Sequence, residues 1–195
     1  MGTRTSFLGM AQASVRPAEP SDATEIARIQ LATWRAAYTG LLPAEVLGAL
    51  DGDEAAATWR HTIEQGPARV FVAFEGPWCV GFCAGGAAPE DESADATGIP
   101  APDAEHVALV SALLVEPRWG RRGHGGRLLA MAGEAMLAAG LVRGIAWVAE
   151  GDKASLAFWE RAGWVADGTV RTLDAGGKPL REVRLTGTLR FELET

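Results

Sequence analysis

The stretch Val107-Ala-Leu-Val-Ser-Ala-Leu-Leu-Val115, running on through Glu116-Pro-Arg-Trp-Gly-Arg-Arg-Gly-His-Gly-Gly-Arg-Leu-Leu129, decides how this chain is read. A run this uniformly apolar does not suit a strand with one wet face, so Val107 to Val115 is expected to be a central strand covered on both sides. It ends in a turn holding Gly120, Gly123, Gly125 and Gly126. Beyond the turn, Leu128, Ala132, Ala135, Met136 and Ala139 recur at helical spacing until Gly140 supplies a stop. Ile145 to Ala149 is a further apolar strand. Strand, helix and parallel strand in this order imply a right-handed crossover.

The turn has the chemistry of a phosphate cradle. Glycine lets the backbone approach a ligand, the first N–H groups of the helix are unpaired, and the helix dipole adds partial positive charge. Arg118, Arg121, Arg122 and Arg127 add cationic side chains. A nucleotide P-loop would need Lys and then Ser or Thr after the last glycine, but Arg127 and Leu128 stand there. In a dinucleotide fingerprint opening on Gly123 and Gly125, the third glycine would fall on Leu128. A nicotinamide enzyme is therefore a rival that the turn matches poorly.

Outward from this unit, Asp22 with Glu25 suggests a capping box opening a helix that carries Ile26, Ile29, Trp34 and Ala37 on one face. Pro43 suits the start of a short second helix, and Asp53 could cap a third bearing Trp59 and Ile63. Val70 to Phe74 and Val80 to Gly85, joined at Gly76-Pro77, read as a hairpin. Ala87 to Ala104 is acidic and rich in Ala, Pro and Gly, the composition of a long mobile loop. Downstream, Asp152 can cap a helix carrying Leu156 and Trp159 and ended by Gly163. Strands from about Val165 to Leu173 and Leu180 to Leu189 then flank Asp174-Ala-Gly-Gly177. The expected architecture is a single α/β domain over residues 14–195, a mixed twisted sheet of about six or seven strands with helices on both faces. Residues 1–13 are expected to be a flexible tail.

Composition narrows the function. With 195 residues, 48% hydrophobic and 22% charged, the chain has the size and balance of one globular domain. A net charge of -7 argues against a general nucleic-acid binder, and no apolar run is long enough to span a membrane. Cys79 and Cys83 fall on one face of a single strand by alternation, a poor arrangement for a bridge, so reduced thiols and a cytoplasmic location are expected. Three scattered histidines give no metal-ligand set.

The cradle stretch resembles the acetyl-CoA motif of the GCN5-related N-acetyltransferase (GNAT) family, in which a strand ending Val-x-Pro leads into Gln/Arg-x-x-Gly-x-Gly/Ala. Val115, Pro117, Gly123, Gly125 and Leu129 match, while the opening position of the motif falls on Gly120. Asp152-Lys-Ala-Ser-Leu-Ala-Phe-Trp-Glu-Arg-Ala-Gly-Trp164 is similar to the family's Asn-x-x-Ala-x-x-Phe-Tyr-Glu-x-x-Gly-Phe helix, and Arg16-Pro-Ala with Asp22 resembles its opening.

The resemblance implies transfer of an acetyl group from acetyl-CoA, as co-substrate, to a primary amine by direct attack in a ternary complex. It implies that the strands ending at Val115 and Ala149 splay apart and admit pantetheine as a pseudo-strand. Leu114 and Val115 would meet the pantetheine, Arg121, Arg122, Gly123, His124, Gly125 and Gly126 the pyrophosphate, and Asp152, Ser155 and Trp159 the thioester end. Trp159 occupies the position where the family usually has a tyrosine facing the thiolate. Glu105 and His106, with Asp103 behind them, are candidate bases, Ser155 a proton relay, and Trp34 and Tyr38 candidate walls of the acceptor site. The acidic segment favours a cationic acceptor. An acyl-CoA sensor of the same fold is the alternative to an enzyme, and a monomer or homodimer is expected.

Overall fold

The computed structural model describes residues 13–95 and 97–191. The expected N-terminal tail lies outside them except for Ala13, the first residue of strand β1 (Ala13–Pro17). The next elements are α1 (Ala23–Ala37), α2 (Ala44–Gly48), α3 (Gly52–Gln65), β2 (Arg69–Glu75), β3 (Trp78–Ala87) and α4 (Glu90–Ser93). They are followed by β4 (Val107–Val115), α5 (His124–Ala138), β5 (Arg143–Ala149), α6 (Lys153–Arg161), β6 (Val165–Asp174) and β7 (Pro179–Thr188). Seven strands form one mixed sheet in the order β1-β2-β3-β4-β5-β7-β6, so β4 is indeed central. Only β4 and β5 run parallel, joined through α5.

Helices cover both faces. Ile26 and Ile29 of α1, with Trp59 and Ile63 of α3, pack on Val70, Val72, Cys79, Phe82 and Ala84. Leu128, Leu129, Ala132 and Met136 of α5, with Trp159 of α6 and Trp164, pack on the opposite face over Phe71, Ala73, Val80, Cys83, Ala108 and Val110. Each fully buried aliphatic side chain of this kind is worth about 1.5–3 kcal/mol. Trp164 is the largest fully buried side chain, and it fits only because paired residues Gly144 and Gly187 of β5 and β7 carry no side chain. A β-carbon at either would lie 2.3 Å from its indole.

Four local expectations change. The register of β2 against β3 jumps from Ala73–Gly81 to Phe74–Cys79, an extra residue that breaks alternation. Cys79 therefore packs with the α1 face and Cys83 with the α5 face; both thiols are free and buried. Asp22 is not the side-chain cap of α1. Its carboxylate turns back to the Glu19 N–H at 2.7 Å and to Arg16, and Glu25 pairs with Arg28. Asp51, rather than Asp53, caps α3 by accepting from the N–H groups of Asp53 and Glu54. Finally, the segment after β3 is a packed strap. Arg184, itself buried, donates to the carbonyl oxygens of Glu92 and Ala94, while the Glu92 carboxylate meets Trp147 Nε1 and Arg171.

Candidate active site

Strands β4 and β5 are paired only at Val107–Arg143, Ala108–Gly144 and Leu109–Ile145. Beyond Leu109 they part, leaving the β5-facing edge of β4 open from Val110 to Val115. That edge spans roughly 17–20 Å at about 3.3 Å per residue, room for an extended arm pairing with backbone. Leu114 and Val115 lie on it, paired on their other side with Phe82 and Gly81 of β3. At the closed end of the fork, Ser111 interrupts the β3–β4 register, which passes from Ala84–Ala112 to Gly85–Val110. Ser111 is exposed in the middle of the central strand, and its hydroxyl donates to the Ala84 carbonyl at 3.2 Å. Sequence reasoning missed this bulge, although the lone hydroxyl in the apolar run was its visible signal.

At the open end lies the cradle. Gly123 is left-handed, with φ +81°, and opens α5. Arg121 also has a positive φ of 61°, the only non-glycine among the described residues to do so. No side-chain partner holds the Arg121 guanidinium among the described residues, so it is the arginine readiest for an anion. Arg127 folds back over the turn and donates to the Arg122 carbonyl at 3.0 Å, while Arg118 pairs with Glu116 at 2.8 Å. Arg122 is engaged by Glu75 at 2.6 Å. His124 is 1% exposed, with Nε2 2.8 Å from Glu75, so its ring is buried against that carboxylate and not presented to a ligand in this arrangement. Space for an anion exists at Gly126, where an added β-carbon would meet nothing within 4 Å. At Gly125 one would come within 2.9 Å of the Phe158 ring.

The helix after β5 begins as expected. Asp152 caps α6, accepting from the Ser155 N–H at 3.0 Å and from the Ser155 hydroxyl at 2.7 Å. Trp159 does not border the fork. It is 5% exposed, with its ring centroid 4.4 Å from that of Trp164, and half-buried Phe158 faces the cradle instead. A β-carbon at Gly151 would lie 2.5 Å from Leu41, so the turn after α1 packs on the entrance to α6. This brings Tyr38 near Asp152 and Glu182. Burial first, then these two negative charges, push its phenol up to about 12. Trp34 meets Tyr38 edge to face at 6.2 Å but lines a separate groove of about 320 Å³ between α1 and α3, together with Trp59 and Leu50.

Glu105 and His106 stand elsewhere. They precede β4 at its paired end, where the His106 carbonyl accepts from the Val142 N–H and the Glu105 side chain is 84% exposed. Four residues of strand, about 13 Å, separate His106 from the start of the fork. A base must come within hydrogen-bond reach of its proton or act through one water, and from this position neither side chain reaches the start of the fork directly. Asp103 behind them is held by Arg143 at 2.7 Å. Among the described residues no group of three or more His, Cys, Asp or Glu side chains could hold a metal, and no helix is long and apolar enough to cross a membrane.

A central strand opening beside its parallel neighbour above an arginine and glycine turn defines an acyltransferase of the N-acetyltransferase fold. The model of the GNAT acetyltransferase family matches residues 8–164, and the chain belongs to that family. Solved structures share the fold. PaiA N-acetyltransferase of Thermoplasma acidophilum, in complex with coenzyme A, is 16% identical with a TM-score of 0.64, covering 88% of this chain and 98% of that one. YncA of Salmonella typhimurium, with acetyl-CoA, is 16% identical with a TM-score of 0.66, covering 94% and 98%. The ribosomal-protein-alanine N-acetyltransferase of Brucella melitensis is 19% identical with a TM-score of 0.66, covering 90% and 99%. No curated protein matches the sequence.

Proposed function

We propose that residues 14–195 form one N-acetyltransferase domain that moves an acetyl group from acetyl-CoA to a primary amine by direct attack in a ternary complex. The observation that carries this is the fork that ends at Leu109–Ile145 with its open edge running to the cradle. Pyrophosphate is held by the N–H groups of Gly125 and Gly126 and by Arg121. The pantetheine arm then lies along Val115 and Leu114 toward Ser111. There the bulged backbone is free to donate to the thioester carbonyl as negative charge grows on its oxygen.

The amine attacks the carbonyl carbon, its N–C bond forms, the C–S bond breaks, and the pair leaves on sulfur. A thiol has an ordinary pKa of about 8.5, so CoA thiolate is a tolerable leaving group without a strong acid. Trp159 could not supply one in any case, because indole does not titrate near neutrality. Tyr38, with a phenol near 12, stays protonated and orients the acceptor by hydrogen bonding rather than as a base. The proton of the amine leaves through Ser155, whose hydroxyl already donates to Asp152, or through water. The two buried free thiols support a cytoplasmic location.

The test is thiol release with a panel of primary amines, varying both substrates. Intersecting initial-rate lines are expected for a ternary complex; parallel lines would demand an acetylated protein instead. Tight acetyl-CoA binding without turnover across the panel would convert the reading to an acyl-CoA sensor.

A further inference from the structure

Glu75, the last residue of β2, belongs to none of the sequence motifs and yet touches the cradle twice. Its Oε1 accepts from Arg122 Nη1 at 2.6 Å, and its Oε2 lies 2.8 Å from His124 Nε2. A carboxylate only accepts, so Nε2 carries the proton. Gly123, the left-handed residue of the turn, sits between the two residues gripped. Arg122 also lies over the Trp119 ring at 4.9 Å, a second contact that holds its guanidinium. His124 Nδ1 is buried without a partner among the described residues, so Glu75 is the only side chain anchoring this ring. Hydrogen bonding from His124 first, and from Arg122, holds the Glu75 carboxyl below the usual carboxylate range, so it is ionised whenever the protein works.

We propose that Glu75 is a positioning residue for phosphate binding. It fixes the 122–124 turn so that the N–H groups of Gly125 and Gly126 converge on the pyrophosphate, without itself touching the ligand. Without that carboxylate the His124 ring has no partner at either nitrogen, Arg122 turns to solvent, and the first turn of α5 loses its fixed direction. The negative charge would oppose a phosphate if it faced one, but Glu75 is spent on two donors, one of them the buried His124. This rests on the placement of the pyrophosphate proposed above.

The experiment is calorimetry with two ligands sharing the thioester arm: acetyl-CoA, and S-acetylpantetheine, which lacks the phosphates. The wild-type protein is expected to bind acetyl-CoA far more tightly. Glu75→Leu should weaken acetyl-CoA by about tenfold or more, the usual scale for losing a residue that orients a ligand-binding group. It should leave S-acetylpantetheine unchanged, and Glu75→Gln, keeping one of the two contacts, should fall between. Equal losses for both ligands would show a merely structural role, and an unchanged acetyl-CoA affinity in both variants would show none; either overturns the proposal. If Glu75→Leu does not fold, as its thermal melt would show, Glu75→Gln decides by the same ratio. Equal wild-type affinity for the two ligands is a separate failure, which removes the phosphates from the cradle altogether.

Discussion

Two adjacent glycines separate what the cradle does for the ligand from what it does for the fold. A side chain at Gly125 collides with Phe158, while one at Gly126 enters open space beside the turn. Gly125→Val is therefore expected to lower Tm as well as acetyl-CoA affinity. Gly126→Val should keep Tm, since a residue with a side chain replaces glycine in a helix, yet weaken acetyl-CoA by about tenfold or more. Calorimetry paired with thermal melts checks both, and an undiminished affinity in Gly126→Val would remove the pyrophosphate from this position. The same reasoning applies to the proton. Glu105→Gln should leave the pH–rate profile unaltered, because Glu105 sits at the paired end of β4. For an alkyl amine with a pKa of about 10.4, kcat/KM should rise nearly tenfold per pH unit through neutrality, tracking the free base. A plateau near neutrality with such an acceptor would require a base that the fork region does not supply through Ser155 and Asp152.

Among the elements, Asp152 joins stability to chemistry, and two substitutions pull these apart. Asparagine keeps the cap, since its side-chain oxygen can still accept from the Ser155 N–H, but its amide cannot comfortably take the Ser155 hydroxyl if that oxygen is already used. Asp152→Asn should thus melt near wild type with a reduced kcat, whereas Asp152→Ala should also lose about 1 kcal/mol of stability. A wild-type kcat in the asparagine variant would remove the relay. The elements that the sequence made legible are those written in local pattern: the apolar β4, the helical spacing of α5, the caps and glycine stops around α6. What escaped depends on partners far along the chain. The strap at α4 is acidic in sequence, but Arg171 and Arg184, which hold it, arrive 79 to 92 residues later. Glu75 reaches His124 across 49 residues. The bulges at Val80–Gly81 and at Ser111 came from pairing register, so alternation alone put Cys79 and Cys83 on one face and hid the exposed serine.

Across the whole molecule, the acidic segment before β4 contributes less field to the acceptor side than its composition implies, because two of its carboxylates, Glu92 and Asp103, are paired with arginines. Glu92 takes Arg171 and Asp103 takes Arg143, while Glu90, Asp91, Asp95 and Glu105 have no lysine or arginine partner among the described residues. Raising salt should raise KM for a cationic acceptor through the carboxylates left without a cation, and a KM that salt leaves unchanged would end the idea of a charge-selected acceptor. The Asp103–Arg143 pair also makes a stability prediction with a definite sign. Hydrogen bonding from Arg143 is the main cause that holds the Asp103 carboxyl below its ordinary value. A carboxyl depressed in the folded state stabilises it fully above the unfolded value of about 3.9, and that contribution disappears as pH falls through the lower folded value. The urea midpoint of Asp103→Asn should therefore lie below wild type by a constant amount from about pH 5 upward, and the gap should close on further acidification. A gap that persisted at the lowest pH would mean that the loss comes from packing and not from the ionised pair. Because this pair fastens β5 to the segment before β4 at the end opposite the cradle, the substitution should leave acetyl-CoA affinity at neutral pH unchanged, which separates the foundation of the fork from its ligand-binding end.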